Sequence, residues 1–308
     1  MSASGPEEGD PAADLDREQQ ESLARIEAGG IPLSAERRLG ELREHGGSFT
    51  SDLSVNGFAL CHQLGLQPLS QVMGSSIYQV GYQGVGYQGG GWPMMMGGSV
   101  LMEMETLSEA WNEVRRHALN RLALEATHAG ADAVIGVQLR TGAHDWAAGS
   151  IEYVVVGTAV RRRDAPPSAE PILTELSVSD YANLARAGIA PAGIVAWTSV
   201  FFAAYENNWL TQSNRLSPVQ NYELREFTQG VYSAREQVMG RLGLQAQQLG
   251  ASGIVGVRIG HTVQRQDVGA GSGQRGGVLI TFDAIGTAVR ETAGARVSPP
   301  KTTVDLSN

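Results

Sequence analysis

The chain has 308 residues, a net charge of −9 and 42% hydrophobic content, a globular composition with room for two domains of ordinary size. The excess of acids excludes a protein that grips nucleic acid through its phosphates, because that binding needs a basic surface to release counterions. A single cysteine, Cys61, excludes an internal disulfide framework and a thiolate-rich zinc centre within one chain.

Charge is unevenly placed. Residues 1–47 hold eleven acids and five arginines, a balance of −6, so the rest of the chain carries only −3. That nearly neutral body is glycine-rich, 39 of the 308 residues being glycine, and predicts surfaces covered by copies of the same chain. Residues 1–13 read as a disordered acidic tail. They begin MSASGPEEGDP, without the basic and apolar runs of an export signal, which predicts a cytoplasmic protein. Residues 14–47 read as a helical arm, with Leu23 and Ile26 on one helix and Leu39 and Leu42 on a second. Gly29-Gly30-Ile31-Pro32 breaks them. The arm is expected to dock on the body; recruitment of a protein partner is its alternative role.

The body is an internal repeat. Leu53-Ser54-Val55 falls on Leu176-Ser177-Val178 at an offset of 123, which also matches Gly65 with Gly188, Pro68 with Pro191, Ser76 with Ser199 and Tyr82 with Tyr205. At an offset of 120, Arg115 meets Arg235, Arg121 meets Arg241 and Gly130-Ala131 meets Gly250-Ala251. Gly157-Thr158-Ala159-Val160-Arg161 meets Gly286-Thr287-Ala288-Val289-Arg290 at 129. Each copy starts with a short helix near Ser54 or Ser177, with Asn56 or Ser179 available as its cap, that stops at Gly65 or Gly188. A strand follows (72–80; 194–204), bounded by glycine and proline. Next, Leu107, Trp111, Val114, Ala118, Leu122 and Ala126 keep helical spacing, and Phe227, Val231, Ala234, Val238, Leu242 and Ala246 repeat it. Two strands close each unit: 133–140 with 151–161, and 253–259 with 278–290.

The expected fold class is therefore α+β, with two tandem β-α-β-β units over residues 48–163 and 171–291. Each is a small antiparallel sheet with one long helix on one face. Residues 292–308, with Pro299-Pro300, read as a tail. Such units expose strand edges, and a closed ring is the economical way to cover them, since contacts that close leave no free edge.

The segments Gly130-Ala-Asp-Ala-Val-Ile-Gly-Val137 and Gly157-Thr-Ala-Val-Arg161, with Arg115 on the helix before them, resemble the YbjQ-like family. Gly250-Ala-Ser-Gly-Ile-Val-Gly-Val257 and Gly286-Thr-Ala-Val-Arg290 look like a divergent second copy. The resemblance implies a subunit of the dodecin type, assembly as a pentamer, and a heavy-metal-binding label on an otherwise unknown function.

The residues give that label little support. No cysteine or histidine recurs between the copies: Cys61 and His62 face Leu184 and Ala185, His117 faces Gln237, His128 faces Gln248 and His261 faces Thr141. Adjacent on a helix, Cys61 and His62 point about 100° apart. A soft-metal alternative is the Met94-Met95-Met96 run, since thioethers suit Cu(I); the competing reading is that these methionines fill an irregular apolar interface. No cofactor is supported by recurring ligands. The charged positions that do recur, Glu103/Glu223, Arg115/Arg235 and Arg121/Arg241, read with Tyr82 and Tyr205 as structural and assembly residues. Arg115 and Arg121 lie roughly 240° apart around a helix, so they serve different faces.

Gly84-Val85-Gly86-Tyr87-Gln88-Gly89 matches the dinucleotide fingerprint, but Gly90-Gly91-Trp92-Pro93 follows instead of a helix, which removes it. Residues 63–101 and 187–205 contain no charge, yet glycine, glutamine and Pro191 interrupt them too often for a membrane span. They are expected at a subunit interface, where burying charge is costly. No nucleophile–base set emerges. The sequence thus predicts a non-enzymatic protein that binds itself into a ring, probed neither by nucleic acid nor by membrane. Metal binding and a membrane-associated oligomer are the alternatives.

Overall fold

The computed structural model describes residues 11–45, 50–80, 100–142, 150–163, 166, 168–204, 223–268 and 275–292. Two helices open the chain, α1 (Pro11–Glu27) and α2 (Leu33–His45). They are tied by Arg25–Glu36 and by Arg37–Glu18 at 3.1 Å, and Leu39 is fully buried. The body follows as α3 (Val55–Gln63), β1 (Leu66–Gln79), β2 (Val100–Glu103), α4 (Glu105–His128), β3 (Ala133–Gly142), β4 (Ser150–Arg162) and β5 (Ile172–Leu173). It then repeats with α5 (Val178–Ala187), β6 (Ile189–Ala204), α6 (Arg225–Gln248), β7 (Gly253–Val268) and β8 (Arg275–Glu291). The fold is α+β with two four-stranded sheets, ordered β1-β4-β3-β5 and β2-β6-β8-β7.

The contacts divide the chain into two compact units, and the division does not follow the repeat. One unit holds the chain up to Ser76, Arg116–Arg140 and Tyr153–Leu173; the other holds Ile77–Arg115, Thr141–Glu152 and everything from Thr174. Strand β2 and the first half of α4 are first-copy sequence that belongs with the second copy's sheet. There β2 pairs antiparallel with β6, Glu103 opposite Phe201 and Leu101 opposite Ala203.

Local chemistry repeats between the copies. Ser54 and Ser177 cap α3 and α5, each hydroxyl accepting an N–H three residues on (Gly57, 3.1 Å; Asp180, 3.2 Å). Asn56 and Ser179, the caps expected from sequence, lie inside the first turns. The first strands begin at Leu66 and Ile189, earlier than Pro68 and Pro191 suggest. Pro191 is tolerated because Val289, opposite it, turns its carbonyl to the Ser252 N–H (2.8 Å) and not to β6, and the β6–β8 register shifts just beyond, between Pro191 and Gly193. Gly136 and Gly256 both take positive φ (68° and 65°). In β7 this is a bulge, with Val255 opposite Thr287 and Arg258 opposite Ile285. The Gly-Thr-Ala-Val-Arg motifs place buried hydroxyls: Thr158 accepts the Asp52 N–H (3.1 Å) and Thr287 the Glu175 N–H (3.3 Å).

The helical stripes form the cores. In the second unit Ala234, Val238, Leu242 and Ala246 of α6 pack on Val195, Phe282, Ala284 and Ala288. Val114, Ala118, Leu122 and Ala126 of α4 are likewise fully buried. At position 74 the first copy has glycine where the second has Trp197, and α4 comes close: a Cβ on Gly74 would lie 1.9 Å from the Ala118 carbonyl oxygen. Both groups are backbone, so relief requires moving the helix. Gly74→Ala is therefore expected to destabilise the protein by about 1–3 kcal/mol or more, read as a lower denaturant midpoint.

Candidate functional site

A small sheet must satisfy the outward peptide groups of its edges. In the second unit the side of β6 away from β8 is closed from Ala196 to Ala204 by four devices. At Ala196, the Gln245 side chain of α6 accepts the N–H (2.9 Å) and donates to the carbonyl (3.1 Å). At Thr198, the Asn112 side chain of α4 does the same, at 2.9 and 2.8 Å. At Val200, the Ser108 hydroxyl accepts the N–H (2.9 Å) and the Met104 N–H donates to the carbonyl (2.8 Å). From Phe201 to Ala204, β2 takes over as a paired strand. Three of the four devices come from first-copy sequence.

Arg115 locks this seam. Its guanidinium is buried, donates to the Thr198 hydroxyl (2.7 Å) and holds the Asn112 side-chain oxygen. Asp283 of β8, the register partner of Thr198, has its carboxyl pushed up by burial, an effect opposed by Arg115 and His261. The cluster is a hydrogen-bonded clamp on a strand edge.

In the first unit the corresponding edge of β1 is closed differently, and only as far as Ser75. The Met73 N–H donates to Glu125 (2.9 Å), which sits where Gln245 sits in the second copy. Arg121 donates to the Ser75 carbonyl (2.6 Å) and also to the Ile26 (2.9 Å) and Gly30 (3.0 Å) carbonyls, fixing the α1–α2 loop beside β1. Burial pushes the Glu125 carboxyl up, partly offset by the Met73 N–H and by Arg38 and His128.

The remaining sequence candidates scatter. Cys61 is buried and its thiol is pushed up to about 11 by burial. His62 is exposed, edge-on to Phe58 and 3.0 Å from the Arg163 guanidinium. Glu223 accepts from Thr228 (3.0 Å), Arg235 pairs with Glu236 (2.7 Å), and Arg241 lies over the Trp197 ring. Met94, Met95, Met96, Tyr82 and Tyr205 lie outside the described residues. Among the described residues no three His, Cys, Asp or Glu side chains gather as a metal site, and no helix is long and apolar enough to cross a membrane. Sequence reasoning missed Ser108, Asn112, Thr198, Asp283 and the Glu125/Gln245 pair. Recurrence of Arg115 as Arg235 and of Ser108 as Thr228 was the available signal.

This geometry defines a duplicated β-α-β-β protein in which strand and helix of one copy seal the sheet edge of the next. A profile described as "putative heavy-metal-binding" matches residues 92–163 and 207–292, and the chain belongs to this YbjQ-like family. It is 35% identical over 261 residues to an encapsulin nanocompartment protein of Mycobacterium tuberculosis, covering 82% of this chain and 90% of the relative. Uncharacterised-family (UPF0145) proteins of Clostridium novyi and Archaeoglobus fulgidus are 44% and 43% identical over 59 and 61 residues, 19% and 20% of this chain and 55% of each relative. No solved structure matches the chain.

Two outcomes follow from the edge chemistry. Asn112→Ala strips both peptide groups of Thr198 of their partner and is expected to cost about 1–3 kcal/mol, with faster hydrogen exchange at the Thr198 amide. Glu125→Gln is expected to stabilise, because an amide can both accept from and donate to Met73, as Gln245 does at Ala196. A carboxyl raised in the folded state favours folding while protonated and opposes it as pH rises from the ordinary carboxylate range through the raised value. The wild type should therefore lose stability relative to the glutamine variant across that rise, measured as melting temperature against pH.

Proposed function

We propose that the chain is a non-enzymatic, self-assembling scaffold or binding protein. Its dodecin-subunit-type units join copies into a closed, five-fold ring, with any ligand held between subunits. The observation that carries this reading is where apolar side chains remain exposed on strands. Met73 and Ile77 (49% and 50% exposed) lie on β1, and Ile259 and Val263 (54% and 50%) lie on β7; these are terminal strands of the two sheets. Open edges with apolar residues are templates for pairing with another chain. The relative named for a nanocompartment supports the same direction, and its match spans most of both chains. The buried charged groups support a structural role, since Arg115 and Glu125 are engaged with strand atoms and Glu175 with Arg258. Mass photometry of the full chain at micromolar concentration is expected to show a closed oligomer of uniform size; a strictly monomeric species overturns the reading.

The family description favours a second reading, heavy-metal binding through Cys61 and His62 or through Met94, Met95 and Met96. Protein purified without an affinity tag would then carry stoichiometric metal, lost in Cys61→Ser or Met94→Leu. The buried, protonated thiol of Cys61 weighs against the first ligand pair.

A further inference from the structure

The seam on β6 has a second, open version on the same chain. Carried forward by 120 residues, the α4 groups Met104, Ser108, Asn112 and Arg115 become Leu224, Thr228, Tyr232 and Arg235. Carried back by 123, Thr198 and Val200 of β6 become Ser75 and Ile77 of β1. The chemistry survives the shift at three points. The Leu224 N–H corresponds to that of Met104, the Thr228 hydroxyl to that of Ser108, and Arg235 with Ser75 keeps the guanidinium–hydroxyl pairing of Arg115 with Thr198. At the fourth, a tyrosine stands where Asn112 stood, opposite a strand whose exposed side chains, Met73 and Ile77, are apolar.

Burial separates the two versions. On the closed seam Arg115 is 4% exposed, Thr198 1% and Val200 0%. On the open version Leu224 is 45% exposed, Tyr232 59% and Ile77 50%, and Arg235 is exposed and paired with its chain neighbour Glu236. No side chain among the described residues bonds the Ile77 peptide, whereas both groups of the Val200 peptide are engaged by first-copy sequence. Arg121 already holds the Ser75 carbonyl, which leaves a neighbour the Ser75 hydroxyl and the Ile77 peptide.

We propose that the α6 face Leu224–Thr228–Tyr232–Arg235 docks on the β1 edge Met73–Ser75–Ile77 of a second copy of this chain, head to tail, repeating between molecules the seam that α4 makes on β6 within one. The inference rests on the self-assembly reading and names its surface. Each chain carries one donor helix face and one acceptor edge, so the contact is heterologous and propagates until it closes. It also sets the order around the assembly: first and second copies alternate.

The test uses the full chain with a short bis-maleimide cross-linker; the sole native thiol, Cys61, is buried. The Ile77→Cys/Thr228→Cys double variant is expected to give a ladder of covalent multimers on denaturing gels. A mixture of Ile77→Cys chains with Thr228→Cys chains should stop at dimers, because each chain then has only one reactive half. As a second arm, Tyr232→Asp should weaken assembly by at least about tenfold in dissociation constant, as loss of a central aromatic contact does, with an unchanged thermal melt. Multimeric wild type with no ladder and no Tyr232→Asp effect overturns this surface while leaving self-assembly standing. Cross-linked dimers from either single variant alone overturn the head-to-tail pairing. Monomeric wild type overturns both proposals.

Discussion

A peptide group at a sheet edge has fixed hydrogen-bonding demands, and in a sheet of four strands a large share of the backbone lies at an edge. The structure is organised around meeting those demands on β6. A buried peptide left without partners costs about 1–3 kcal/mol per group, so the sequence Met104–Arg115 is bound to its place by hydrogen bonds to strand peptide groups as well as by packing of side chains such as Val114. The amide of Asn112 suits this task because it offers an acceptor and a donor from one rigid group, matching the N–H and C=O of a single outward-facing strand residue. Gln245 uses the same logic one step along the strand. Arg115 then fixes the Asn112 amide in the required sense by holding its oxygen.

The two copies solve one problem with different residues. Glu125 replaces Gln245, so one device that gave two bonds gives one, and the buried carboxyl brings in Arg38 (3.6 Å). Arg121, which in the second copy corresponds to Arg241 stacked on Trp197, is turned to three carbonyls and anchors the N-terminal helices. Gly74, in place of that tryptophan, lets α4 approach β1 closely. These changes are coupled: removing the indole frees the arginine and opens room for the helix, and the arm then supplies carbonyls for the guanidinium. The helical core keeps its apolar stripe, with Leu122 and Ala126 recurring as Leu242 and Ala246, whereas the edge of β1 changes its chemistry.

Much of this plan was legible in the residues. The helical stripes, the glycine pairs and the Gly-Thr-Ala-Val-Arg ends are local signals with fixed periods, and duplication read them twice. The 240° separation of Arg115 and Arg121 foretold that they serve different neighbours, and they do. The edge devices were not legible, because Asn112 reaching Thr198 is a contact across 86 positions that no periodicity announces, and asparagine within a helix reads as a mild defect. The short strand β2 was also hidden. Four residues, Val-Leu-Met-Glu, satisfy no strand pattern until a partner strand is present. Pro191 shortened the expected first strand of the second copy because sequence rules cannot see the register shift beside it.

The same reasoning explains the charge distribution. A seam made of peptide groups, hydroxyls and amides tolerates one guanidinium because that group remains charged and can donate to several oxygens at once, but a second unmatched charge would be expensive to bury. Residues 63–101 and 187–205 carry none, and together they contain β1, β6 and the start of β2. Uncharged edges have no electrostatic protection against pairing with other chains, which ordinary monomers obtain from lysines on edge strands. The seam within the chain therefore removes one hazard of an uncharged edge and leaves the other, on β1, in the form best suited to a copy of the same molecule.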